Sequence, residues 1–402
     1  GQFDDADDED ALFVNAMRER IYNNQISSSL SSSSSSPASF MASQPSVQKK
    51  NVAVVVPVVN KKKKHKDYKN NKNKNKDKNN KMIYPMEMSE EEKYLFDLNG
   101  FVVIRNVLSK DEVKAANDAI DRHEDDMIER SEDALRNAVK GTVMYGNGTG
   151  RKDLGGVLEW DKDDSKIFKL LLAHPRLVPL FHGLLGKGYR MDHLPFVIAQ
   201  DKGAEGFQLH GGTVDCTSGE YNPHLAYTCH NGNLRCALLG CSLVLTDHNA
   251  GFGGFCVVPG SHKSNFKMPP GMVDGKNDHC SDAIVQPVTQ AGDVVLFSEG
   301  TVHGALPWTN TSQQRRICLY RFGPSTHVYG RSYYDSETGT PGWPSKMYND
   351  LNDAQRAVLE PPYANRLDRP EIVPQNPQTV SISSRSDRKK QHDAQLFGTK
   401  YF

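Results

Sequence analysis

Apolar positions along this 402-residue chain follow three regimes. Residues 1–82 show no period. They carry a serine run over 27–36 broken by Leu30, a run from Lys61 to Lys66 broken by His65, and an Asn/Lys-rich stretch to Lys81. Such a composition buries too little apolar surface to offset chain entropy, so a disordered low-complexity arm is expected over 1–82. From Met86 the spacing becomes helical. Ser89 with Glu92, and Ser109 with Glu112, fit capping boxes, in which each serine and glutamate satisfy one another's backbone amides. The first predicts a short helix to Leu98, ended by Asn99 and Gly100 and followed by a strand over 101–108. The second predicts a helix of roughly 25 residues with Val113, Ala116, Ile120 and Met127 on one face. Further helices are expected over 165–172 and 175–185.

Beyond Tyr189 the pattern turns to short β-type runs over 195–200, 207–210, 236–246, 254–258, 283–288, 293–297 and 316–322, separated by Gly, Pro, Asn and Asp. Many short strands between turn signals suggest a barrel or a double-sheet jelly roll, and helices before strands is an α+β order. The expected fold is therefore α+β, with a cupin-like jelly-roll core near 190–325 flanked by N-terminal helices. One domain is expected over 86–335. A C-terminal extension over 336–402 is expected to hold a helix at 350–359 and then a loose tail.

Charge narrows the classes. Lys+Arg and Asp+Glu are equal at 49 each. The balance argues against a whole-chain membrane or nucleic-acid binder; only the Lys-rich arm is suited to polyanions. The first residues are acidic with no apolar core, so no secretory signal is expected. The longest apolar stretch before the domain, 52–59, contains Pro57 and falls far short of the roughly 20 residues of a membrane span. Seven cysteines without a CxxC pair read as reduced thiols used as small apolar side chains. An intracellular, cytoplasmic location is expected, with nuclear import through Lys61 to Lys66 as the alternative.

Candidate chemistry lies at strand ends. His210 closes the run 206–210, and His303 follows the run 293–297. Two imidazoles so placed can converge inside a jelly roll, where a facial site on Fe(II) leaves positions open for a bidentate cosubstrate and O2. The plain alternative is two hydrogen-bonded structural histidines. Arg315 begins the last strand, next to the one feeding His303. A guanidinium there suits the distal carboxylate of 2-oxoglutarate. Strand alternation sends Arg315 and Arg316 to opposite faces, and Arg315 is preferred.

Several stretches resemble the phytanoyl-CoA dioxygenase family. They are the Gly253-Gly254 and Pro259-Gly260-Ser261-His262 word, the stretch from Gly292 through His303-Gly304, the opening from Asn99 to Leu108, and the words around His174 and Gly186. Together they span about 86–335. The resemblance implies a double-stranded β-helix, Fe(II), and 2-oxoglutarate and O2 as cosubstrates. It also implies His210 and His303 as ligands, Arg315 on the cosubstrate, and His262 in a structural role. The expected activity is a dioxygenase hydroxylating a small-molecule substrate, with release of succinate and CO2.

One position departs from the family's His-x-Asp pattern: residue 212 is glycine. With a strand period of two, a carboxylate there would share the face of His210. Three explanations stand. Another carboxylate serves, Asp215 or Glu299. The position stays open, as in superfamily members that halogenate carbon. Or the domain is a non-catalytic binding module. Glycine also suits a backbone that needs room or a positive φ.

Overall fold

In the computed structural model, residues 85–398 are described apart from 132–135, 137, 216–217, 274–281, 331–332, 336, 363–368 and 384–386. The expected arm over 1–82, with the Lys61 to Lys66 run, lies outside the described residues.

Both capping boxes form. The Ser89 hydroxyl accepts from the Glu92 amide at 3.2 Å, and the Glu92 carboxylate takes the Ser89 amide at 2.9 Å. Helix α1 (Glu90–Asn99) then ends on Gly100 at φ 80°. The second box opens α2 (Lys110–Arg122). This helix has 13 residues, half the expected length. Past Ile120 the apolar stripe stops and Glu124, Asp125 and Asp126 oppose the negative helix end, so the chain breaks into a 3₁₀ turn there. Helices α3 (Lys162–Leu170) and α4 (Val178–Leu185) follow.

Two antiparallel sheets make the jelly roll. The larger contains β1 (Phe101–Ile104), β2 (Ile128–Glu129), β3 (Lys152–Leu154), β4 (Arg190–Gln200), β8 (Leu239–Val244), β10 (Val294–Ser298) and β12 (Arg315–Gly323), in the order β1-β10-β8-β12-β4-β3-β2. The smaller holds β5 (Phe207–His210), β9 (Gly254–Val257) and β11 (His303–Leu306), in the order β5-β11-β9. β6 (Tyr227–His230) and β7 (Asn233–Cys236) form a separate hairpin. Its turn, Asn231-Gly232, has φ of 51° and 76°, the backbone that the Asn-Gly pair favours in two-residue hairpins. No strand forms over 283–288. Pro287 cannot donate to a ladder, and only single bridges appear, Val257 with Val285 and His248 with Thr289.

Alternation along β12 separates the two interiors. Cys318, Tyr320 and Phe322 join the core between the large sheet and the helices, where Phe322 lies 4.7 Å from the Phe181 ring and the Tyr320 hydroxyl donates to the Phe168 carbonyl at 2.8 Å. Arg315, Ile317, Leu319 and Arg321 turn the other way and line a cavity between the sheets. Buried Cys236, Cys241 and Cys318 serve as small apolar side chains in that helix-facing core, and all five described cysteines are free thiols.

Asp192 ties the start of β4 to the chain after β12. Its carboxylate is buried, pairs with Arg190 at 2.8 Å and accepts the amides of Tyr329 and Gly330. Burial would raise its pKa, but His193, the Tyr329 amide and Arg190 outweigh this and hold it at about 2, well below the usual carboxylate range. A depressed carboxyl contributes stability above its unfolded pKa and loses it as pH falls through the folded one. The contribution is about 2 kcal/mol at neutral pH, at ~1.4 kcal/mol per pKa unit. Urea midpoints of the parent and Asp192→Asn should differ from about pH 6 down to about pH 4 and converge by about pH 2. A gap independent of pH would contradict this.

After Gly342 the chain is more ordered than its composition suggests. Helix α5 (Asp353–Val358) forms within the helix expected over 350–359, while hairpin β13 (Glu371–Asn376) and β14 (Thr379–Ser383) and helix α6 (Asp387–Phe397) replace the expected loose tail. Pro374 and Pro377 obscure the hairpin's alternation in the sequence. Buried Arg369 fastens the segment by donating to the carbonyls of Gly188, Glu360 and Pro361. Among the described residues, no helix is long and apolar enough to cross a membrane.

Candidate active site

His210 and His303 are direct Cα partners where β5 meets β11, so the antiparallel ladder places their rings together. The ring centroids are 4.2 Å apart. In each ring Nδ1 lies against a backbone carbonyl two residues earlier, Gln208 at 2.9 Å and Thr301 at 2.7 Å. A carbonyl can only accept, so each Nδ1 carries the proton and each Nε2 keeps its lone pair. This is the arrangement by which protein carbonyls orient metal-binding imidazoles. Burial and the neighbouring His210 lower the His303 pKa to about 4 despite Glu299, so the ring is neutral.

The chain leaves β5 immediately after His210. Gly211 and Gly212 have φ of 82° and 97°, so residue 212 does not return to the face of His210. A Cβ at 212 would also sit 3.2 Å from the Val214 carbonyl. Glycine here meets a backbone demand as well as removing a carboxylate.

Asp215 is drawn into a local turn. Its carboxylate accepts the Ser218 amide at 2.5 Å, its own amide donates to the Glu220 carbonyl, and it does not line the cavity. Glu299, in the turn between β10 and β11, lies beside the imidazoles, with Oε2 3.6 Å from His303 Nε2. Its Oε1 accepts from Arg321 Nε at 2.8 Å. Burial would raise the Glu299 pKa, but the Arg321 guanidinium outweighs it and holds the carboxyl below its usual range. Among the described residues, no three His, Cys, Asp or Glu side chains already surround a common metal position.

At the other end of the cavity stands Arg315, 2% exposed. Its Nη1 donates to Gln200 Oε1 at 2.6 Å, and its Nε finds no hydrogen-bond partner among the described residues. Among the described residues no carboxylate pairs with it. Burial and nearby Arg151 lower its pKa to about 9. A buried, under-satisfied guanidinium calls for an anion. Arg316 points outward and is paired with Asp121 at 2.5 Å, which decides between the two arginines. Gly254, at φ 80°, makes room for Arg315: a Cβ there would lie 2.6 Å from Nε.

Phe207, Phe255 and Phe297 wall the histidine end, with Phe207 4.4 Å from the His210 ring and Phe297 4.7 Å from the His303 ring. Arg151 also lines the cavity, its guanidinium 5.3 Å above the Phe207 ring and bound to Asp153 at 3.0 Å. Nothing in its loop sequence marks it; the pairing of β3 with β4 brings it in. His262 is buried outside the cavity, with Nε2 3.1 Å from the Asp97 carbonyl, which joins the Pro-Gly-Ser-His turn to α1. His248 is buried edge-on to Trp308.

Comparison with known proteins adds the relationship. The profile described as phytanoyl-CoA dioxygenase (PhyH) matches residues 96–318, more than half of the chain. No curated protein matches. Among solved structures, HygX from Streptomyces hygroscopicus with nickel, 2-oxoglutarate and hygromycin B bound is 21% identical, covering 64% of this chain and 96% of its own, at a TM-score of 0.48. EctD from S. alaskensis with 2-oxoglutarate and 5-hydroxyectoine is 19% identical, covering 59% and 76%, at a TM-score of 0.40. With the profile running from α1 into β12 of the two-sheet core, the chain belongs to the phytanoyl-CoA dioxygenase family of Fe(II)/2-oxoglutarate-dependent oxygenases.

Proposed function

We propose that this chain hydroxylates a small organic substrate, consuming 2-oxoglutarate and O2 and releasing succinate and CO2. The observation that carries the reading is one cavity with a metal-ready imidazole pair at one end and, at the other, a buried guanidinium that no carboxylate among the described residues pairs. His210 and His303 would hold Fe(II) through Nε2. Bound iron supplies the oxidative chemistry, as is usual where the cofactor carries the redox step. Arg315 would bind the distal carboxylate of 2-oxoglutarate, with Gln200 fixing the guanidinium plane. The phenylalanine walls keep water from the histidine end, which strengthens polar contacts inside it.

The test is an anaerobic titration of the full chain with Fe(II) and 2-oxoglutarate, followed in the visible region. A charge-transfer band that requires both additions supports the reading. No band under any condition would leave a binding module as the better account.

A further inference from the structure

We propose that Glu299 is the third protein ligand of the iron and that Arg321 is the residue positioning it; the inference rests on the iron site proposed above. Position 212 cannot take that part. The strand ends at His210, and the backbone at 212 is left-handed. Glu299 comes instead from the turn four residues before His303, and it is 5% exposed.

The geometry between Glu299 and His303 is what needs explaining. His303 Nδ1 holds the proton, because it faces the Thr301 carbonyl at 2.7 Å. Nε2 therefore presents a lone pair, and Glu299 Oε2 presents another, 3.6 Å away. Both atoms are buried and stand just beyond direct hydrogen-bond range, a separation that a cation between them would bridge. Two adjacent ligand atoms, each ~2.1 Å from one ion, stand roughly 3 Å apart, so a small shift suffices. Arg321 holds the other oxygen at 2.8 Å, which aims the carboxylate and limits it to one oxygen for the metal.

The experiment uses the full chain and Co(II) under anaerobic conditions, reading affinity by calorimetry and ligand set by the visible d–d spectrum, with and without chloride. The variants are Glu299→Ala, Glu299→Gln and His303→Ala, each checked for folding by circular dichroism. If Glu299 is a ligand, both Glu299 variants lose about tenfold or more in Co(II) affinity, at least what outer-shell changes cost. The spectrum of Glu299→Ala gains a chloride dependence that the parent lacks. If His303→Ala loses Co(II) while both Glu299 variants keep the parent's affinity and spectrum, the iron site stands and Glu299 is not part of it. A chloride-dependent spectrum in the parent would mean an open position, and would likewise overturn the proposal. Parent-like Co(II) binding by His303→Ala would remove the iron site itself, and this inference with it.

Discussion

Replacing His303 with alanine is expected to end iron binding and 2-oxoglutarate turnover while the fold persists. The imidazole contributes one hydrogen bond, to the Thr301 carbonyl, and packs on Phe297. Losing that bond costs about 1 kcal/mol, well within a domain's margin. The chemical loss is larger. One imidazole would remain where two faced each other across the β5–β11 ladder. Iron affinity should fall by at least about 100-fold, the upper end of what outer-shell changes alone produce. His210→Ala should behave alike, because the two rings are equivalent in their backbone bonding. Iron content after desalting is the direct measurement. Parent-like iron retention in either variant would remove both residues from the site.

Replacing Arg315 with leucine should separate cosubstrate binding from metal binding. Truncating one partner of a buried charge pair costs about 2–5 kcal/mol, so the dissociation constant for 2-oxoglutarate should rise by about 30- to 4,000-fold. Iron binding without 2-oxoglutarate should be unchanged. Stability has a distinct sign: Arg315 is a buried cation with an unsatisfied Nε, so the cosubstrate-free variant should be no less stable than the parent. Gly254→Val should reproduce the affinity loss from the other side, since its Cβ would displace the Arg315 Nε. Arg316→Leu is the control, because that side chain pairs with Asp121 outside the cavity. Equal affinity losses for Arg315→Leu and Arg316→Leu would sink the assignment.

For iron chemistry, Gly212 by itself favours an open metal position and halogenation. The tertiary structure puts Glu299 beside the same imidazole; if it binds the iron as proposed above, the position is filled and hydroxylation is the expected reaction. The chloride comparison above decides between them.

Features that depend on a few neighbouring residues are legible in the amino-acid sequence. Capping boxes at Ser89 and Ser109 read correctly because their partners are three residues apart. Phe207–His210 was legible as a strand, and alternation along β12 put Arg315 and Arg316 on opposite faces. Other local signals were misread where a second signal interfered. The acidic run after Arg122 shortened α2, and prolines masked β13 and β14. Register was decided only in the tertiary structure. Which arginine of β12 faces inward depends on pairing with β4 and β8. Glu299 reaches His303 because the β10–β11 turn points inward and Arg321 arrives from another strand. Asp215, close to His210 in sequence, is spent on its own turn. Short-range hydrogen bonds carry their partners within the same sequence window, whereas a buried site is assembled by ladders between strands more than a hundred residues apart, whose register no local window contains.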